Sequence, residues 1–413
     1  MNNSIKINIV SFLLFVSIIF SYIISEDTLG GAKIDFYQYE DIIYLFSEDL
    51  LNTLKNYSSF GYTRNSPIFF IILSYLYKLG LELDLIRYLN IVSVFLITYL
   101  FYDCLKIKFN KVNVGTLKIL SLVLLLSPTV RSLAVWPYPI LYAFILFLFS
   151  IKYYLLFCRD KKNKLKNALL NVIFIAAASY FTPNFCIFAI FFTYKFLLEF
   201  KYTKKLFYIL ALNFCLALPA FIFYYTSNFY ILNISVTANT DTLIKFNIFN
   251  KIVVIASIIF FYFIPFLEKN SIAKFTKELK ILRHNYLIIF FILICLLFYN
   301  FPLGYGGGIF YHISYKLFSN SIILFLVFFV SIYIFKSIKI FNLNNILIFI
   351  CLILYNLQAS IFHKYFDPLI LFIFLFLVNF KKGSVNFNMK EITKKYYFLY
   401  LFFLAASFYK VSF

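Results

Sequence analysis

The sequence predicts an all-α polytopic membrane protein of about 13 transmembrane helices, with juxtamembrane helices in its first outer loop. Three observations predict it. Hydrophobic residues make up 63% of the chain and mean hydropathy is +0.88, well beyond the roughly one-half apolar usage of a soluble domain. Apolar runs of spanning length recur from end to end, without the alternating pattern of a membrane barrel. The lysines cluster in the short connections between those runs, as the positive-inside rule requires, so the net charge of +21 reads as topology and not as nucleic-acid binding. With no linker, repeat or soluble insert in view, residues 1–413 read as a single integral membrane domain, in which 25–83 form the first outer loop.

The first apolar segment, 5–24, lacks a small-residue cleavage site and reads as an uncleaved signal anchor. The loop after it holds seven of the seventeen acidic residues: Glu26, Asp27, Asp35, Glu40, Asp41, Glu48 and Asp49. Residues 39–54 alternate apolar and acidic positions at helical spacing, which predicts an amphipathic helix on the bilayer surface, with Glu40 and Asp41 at its start. The run 68–79 is a dozen apolar residues, short of the roughly 20 that a crossing needs. If it crossed, every later lysine-rich loop would change sides, so it is expected to lie along or dip into the surface. The remaining spans are expected near 84–105, 118–133, 138–157, 168–181, 184–200, 206–226, 248–267, 286–300, 317–335, 345–358, 367–380 and 396–412. Thr182-Pro183-Asn184 marks a tight hairpin between two of them.

This threading places the acidic loop, 131–139, 228–245, 301–316 and 358–368 on the outer face. Asp35, flanked by aromatics in KIDFYQYED, is the candidate catalytic base, because a carboxylate near the hydrocarbon boundary gains proton affinity through desolvation; Glu40 and Asp41 are its alternates. Arg64 and Arg131 are candidates for a lipid phosphate, whose oxygens match planar guanidinium donors. His363 and Lys364, in HKYFDP, are a second phosphate-neutralising pair, and Asp367 reads as a helix cap ahead of Pro368. The run GYGGG at 304–308 lets backbone N–H groups approach an anion or sugar, but it lacks the Lys-Ser/Thr of a nucleotide loop. Tyr37, Trp136, Gly306, Gly307, His312 and Tyr365 complete the set as candidate substrate-binding residues. None of the six cysteines forms a close pair, and no metal-ligand spacing appears, so no metal ligand is assigned.

Taken in order, these elements resemble the GT-C superfamily of polyprenol-linked membrane glycosyltransferases. The resemblance rests on Asp35 in DFYQYED soon after the first span, a surface helix, and Arg64-Asn65-Ser66-Pro67 leading into a short apolar run that ends at Gly80. It continues with Arg87 at the next span, a basic inner loop, Ser127-Pro128, and the late motif HKYFDP. It implies a GT-C-like layout and a transferase that moves a sugar from a polyprenyl-phosphate donor to an envelope lipid, glycan or protein on the periplasmic face of a bacterial inner membrane. It implies that Asp35 is the catalytic acid–base residue and that His363 or Lys364 lies near the donor phosphate. A divalent metal ion is a possible cofactor, membrane lipids are expected partners, and no nucleic acid is expected. A lipid-linked sugar flippase or transporter, and a surface-polysaccharide polymerase or ligase, are the alternatives.

Overall fold

A computed structural model describes residues 3–28, 31–59, 65–226, 247–267, 286–301, 306–337, 340–356, 361–380 and 388–412. Among these the chain is all-helical, with a lone parallel bridge between Gly306 and Ile361 and no strand. Five helices are long and apolar enough to cross a membrane, or six if one bent pair counts as a single span. Helices stand at the thirteen expected positions, but among the described residues only these five or six have the length and apolarity to cross. The chain packs as two compact units, residues 1–243 with 396–413, and residues 244–395.

In the first unit, α1 (Asn3–Ile23) packs on the segments that follow Asn113. Its Ser11, Ser17 and Ser21 hydroxyls donate to carbonyls three or four residues back, which satisfies them without water. The expected surface helix begins earlier than its periodicity suggests and divides in two: α2 (Ala32–Glu48) and α3 (Leu50–Lys55), where the Asp49 carboxylate caps α3 by accepting from Asn52 N at 3.0 Å. The α2 backbone N–H groups at Gly31, Ala32 and Lys33 are met by the Asp27 carboxylate. This moves Asp35 into the first turn of α2 and puts Glu40 and Asp41 in its middle, not at its start. Phe36, Tyr39, Ile42, Ile43 and Phe46 form the buried face.

Helix α4 (Pro67–Lys78) has twelve residues, about 18 Å at 1.5 Å per residue and too short to cross. It lies against α2 through Tyr39, Phe69 and Phe70. The 26 residues of α5 (Leu83–Lys108) do have spanning length. The span expected at 118–133 is instead broken: α6 (Val114–Leu122) and a 3₁₀ turn are followed by α7 (Pro128–Val135), with a 66° bend between the two halves. Ser127 and Pro128 cause the break, Pro128 starting the new helix and the Ser127 hydroxyl accepting from Val130 N at 3.1 Å. The last carbonyls of α7, at Leu133 and Ala134, receive the Asn90 amide of α5, and Tyr142 O–H closes the chain onto Asn90 Oδ1 at 2.8 Å.

Next, α8 (Pro139–Arg159) and α9 (Lys164–Phe181) pair closely, held by the Asn171 amide on Ser150 and by the stacked rings of Phe149, Phe174 and Tyr153. A 3₁₀ turn at Pro183–Ile187 forms the expected hairpin, and α10 (Phe188–Phe200) and α11 (Lys204–Thr226) complete the run.

The second unit is built around α12 (Ile248–Phe263), with α13 (Tyr286–Leu297), α14 (Gly308–Phe318), α15 (Ile322–Ser337), α16 (Leu343–Tyr355) and α17 (Leu369–Phe376). The span expected at 317–335 straddles the α14–α15 break at Ser319. That expected at 367–380 is only the eight buried residues of α17. Asn345 stitches this unit, donating to Ile340 O and Asn379 O and accepting from Asn379 N. The final helix, α18 (Met389–Ser412), begins in the second unit and ends in the first.

Candidate functional site

The acid-rich loop folds so that α2 lays a mixed charged face beside the start of α5. Trp136, just past α7, is the hub. Its indole N–H donates to Glu26 O at 3.0 Å, and its ring carries the Arg87 guanidinium at 4.0 Å and the Lys33 ammonium at 5.7 Å. Arg87 also pairs with Asp84 at 2.8 Å, donates to Val135 O and lies over Tyr22. Tyr37, exposed on α2, rests on Trp136 with ring centroids 5.8 Å apart.

Glu40 is half-buried on this helix. Its carboxyl is pushed above the usual carboxylate range, first by desolvation and then by the Asp84 and Asp41 charges, against the opposing pull of Arg87. A carboxylate that binds its proton more readily, with a cation at hand, suits proton abstraction from a hydroxyl. Asp35 lies more than one turn before Glu40 on α2 and is half-buried; Asp41 is exposed. Asp84 was not singled out from the sequence. The signal was the Asp84–Arg87 spacing of three at a helix start, which places the two on one face.

Arg131 has a different role from the phosphate contact expected of it. Its guanidinium is buried and forks onto Glu26, Nε donating to Oε1 at 2.9 Å and Nη2 to Oε2 at 2.8 Å. The other donors go to Ser17, Ser21 and Leu125 O. Thr28 adds a donor to Glu26 Oε1 at 3.0 Å. The group ties α1 and the loop after it to α7, and no guanidinium face is left for a lipid phosphate. Trp136, only 1% exposed, is likewise a support for Tyr37 and Arg87 and not an open sugar platform. Arg64 lies outside the described residues.

The remaining candidates belong to the second unit. Gly306 and Gly307 have φ of 74° and 95° and bring their segment against Ile361, with Gly307 N donating to Ile361 O at 2.7 Å. The Gly307 N–H is therefore spent on the protein and is not offered to an anion. A Cβ on Gly306 would stand 2.4 Å from Ile361 O, so Gly306→Ala is expected to push the two segments apart and lower the unfolding midpoint of the solubilised protein. Two residues beyond Ile361, His363 Nε2 lies 2.9 Å from the Tyr262 hydroxyl, and Lys364 rests its ammonium over the Phe362 and Tyr365 rings at 5.6 and 5.9 Å. The ring of His312 meets Tyr311 at 5.6 Å. Asp367 does not cap α17, whose cap position is Pro368 with no side-chain bond.

The sequence candidates thus form two groups: Asp35, Tyr37, Glu40 and Asp41 on one helix with Trp136 in the first unit, and Gly306, Gly307, His363, Lys364 and Tyr365 in the second. Among the described residues no three His, Cys, Asp or Glu side chains are arranged to hold a metal ion. No ligand set for a divalent cation is put forward. Compared with protein-family models, with curated proteins and with solved structures, the chain matches none.

Proposed function

We propose that this helical membrane protein is a glycosyltransferase that takes its sugar from a polyprenyl-phosphate donor and passes it to an envelope lipid, glycan or protein on the outer face of a bacterial inner membrane. The observation that carries the reading is the half-buried Glu40, its proton affinity raised, set beside Asp84 and Arg87 on the loop that follows the first helix. The order of motifs along the chain supports it.

In the reaction a carboxylate of α2 takes the proton from an acceptor hydroxyl. The oxygen attacks C1 of the sugar, the C1–O bond to phosphate breaks with inversion, and polyprenyl phosphate departs with the bonding pair. Glu40 is the base favoured by its surroundings; Asp35 is the one favoured by the motif. General-base help of this kind is worth ~10²–10⁴-fold. Cations offset the charge developing on the leaving phosphate, and Arg87, beside Glu40, is the candidate for that role.

Mass spectrometry of envelope lipids and glycans from a strain lacking the protein tests the reading. The expected result is the loss of one sugar residue together with accumulation of its polyprenyl-phosphate form. A lipid-linked sugar flippase is the second reading. The broken helix at Ser127-Pro128 and the buried Lys251, which donates to Asn356 O, favour it, since transporters place interrupted helices and charges within the membrane. Intact lipid-linked precursor building up on the inner leaflet would decide for the flippase.

A further inference from the structure

The first unit contains a cavity of about 430 Å³ that none of the candidate site residues lines. Its walls come from the start of α4 (Pro67, Ile71), the second half of α9 (Ala176) and the second half of α11 (Ala217, Ala220). Its size falls within the roughly 300–1,000 Å³ typical of ligand pockets. Sequence makes the space. Ala176, Ala217 and Ala220 present only a methyl group to it, and Pro219, between the two α11 alanines, lacks the N–H of other helix-interior residues.

Two facts identify what fills it. The first is position. Helix α9 starts at Lys164 and α11 at Lys204, and the cavity lies against their far halves, at the end of the bundle away from those lysines. The second is the neighbouring surface. Helix α11 is of spanning length, and it exposes Phe214, Leu218, Phe221 and Ile222 beside the cavity, so the opening gives onto hydrocarbon. Water finds few partners on such walls, and an empty space forfeits the dispersion contacts of its lining.

We infer that this cavity binds one acyl chain of a bilayer phospholipid, drawn from the leaflet opposite the lysine-bearing loops. Phospholipid is the hydrocarbon in greatest excess around the protein, and mass action fills an open apolar site with it. The inference is independent of glycosyl transfer and holds equally for a transporter.

The test uses the full-length protein in phospholipid nanodiscs doped with phosphatidylcholine that carries a diazirine midway along one acyl chain. After irradiation, peptide mass spectrometry is expected to find adducts at 175–189 and 213–224, as well as on the exposed α5 residues Leu89, Val92 and Leu96. In Ala176→Phe/Ala217→Phe the cavity adducts should fall several-fold while the α5 adducts stay constant. In the wild-type protein, unlabelled phosphatidylcholine should compete them away. Cavity adducts that are absent, or unchanged by filling, reduce the contact to the ordinary lipid annulus and overturn the inference. Displacement by polyprenyl phosphate but not by phosphatidylcholine overturns it as well, assigning the cavity to a prenyl chain.

Discussion

Arg131→Met is expected to lower the stability of the solubilised protein by about 3–5 kcal/mol, the loss typical when one member of a buried ion pair is removed. Arg131 and Glu26 are both buried, and the carboxylate would keep only Thr28 among its side-chain donors. The double variant Glu26→Gln/Arg131→Met should regain much of the loss, because no charge is then stranded. The measurement is the unfolding midpoint in detergent for the single and double variants. A single variant that unfolds with the wild type would deny the pair its structural role and return Arg131 to the list of phosphate contacts.

Glu40→Gln is expected to cut sugar transfer by ~10²–10⁴-fold without harm to folding. The sign follows from linkage. A carboxyl with a raised folded-state pKa contributes stability below the ordinary carboxylate pKa and loses it as pH rises through the raised value. The amide, like the protonated carboxyl, carries no charge to desolvate, so it removes nothing that the fold uses. The acidic limb of the pH–rate profile should therefore sit above the ordinary carboxylate range. Asp84→Asn should move it to lower pH by removing a neighbouring negative charge, and Arg87→Gln should move it to higher pH. Asp35→Asn, assayed alongside, decides between the two carboxylates. If Asp35→Asn abolishes turnover while Glu40→Gln retains it, the base is Asp35.

Much of the helix pattern was legible because apolar run length and lysine placement are local properties of the chain. The short run at 68–79 reads as non-spanning by length alone, and α4 has that length. The division of the surface helix at Asp49 was less visible, since the apolar periodicity runs through it and only the Asp49–Asn52 spacing marks a new cap. Long-range pairing was not legible. Glu26 and Arg131 are 105 residues apart, and nothing in either neighbourhood names the other. The same holds for Arg87 over Trp136, and these two pairings make Arg131 and Trp136, both expected as ligand contacts, parts of the scaffold. Gly306 and Gly307 were read as opening backbone N–H groups to an anion or sugar, but their use is close approach to Ile361, a partner that only folding supplies.

The bend at Ser127-Pro128 bears on the count of crossings. Lysines stand in the last turn of α5 at 106 and 108 and just after it at 111, and others follow α8 at 161, 162 and 164. For both sets to remain in the cytosol, the chain between them must traverse the bilayer an even number of times. With helix α8 as one passage, the angled pair α6–α7 would be the other, elbow included. A passage with an elbow leaves peptide groups uncovered at depth, and at this one the Ser127 hydroxyl takes the Val130 N–H while the Arg131 guanidinium donates to the Leu125 carbonyl.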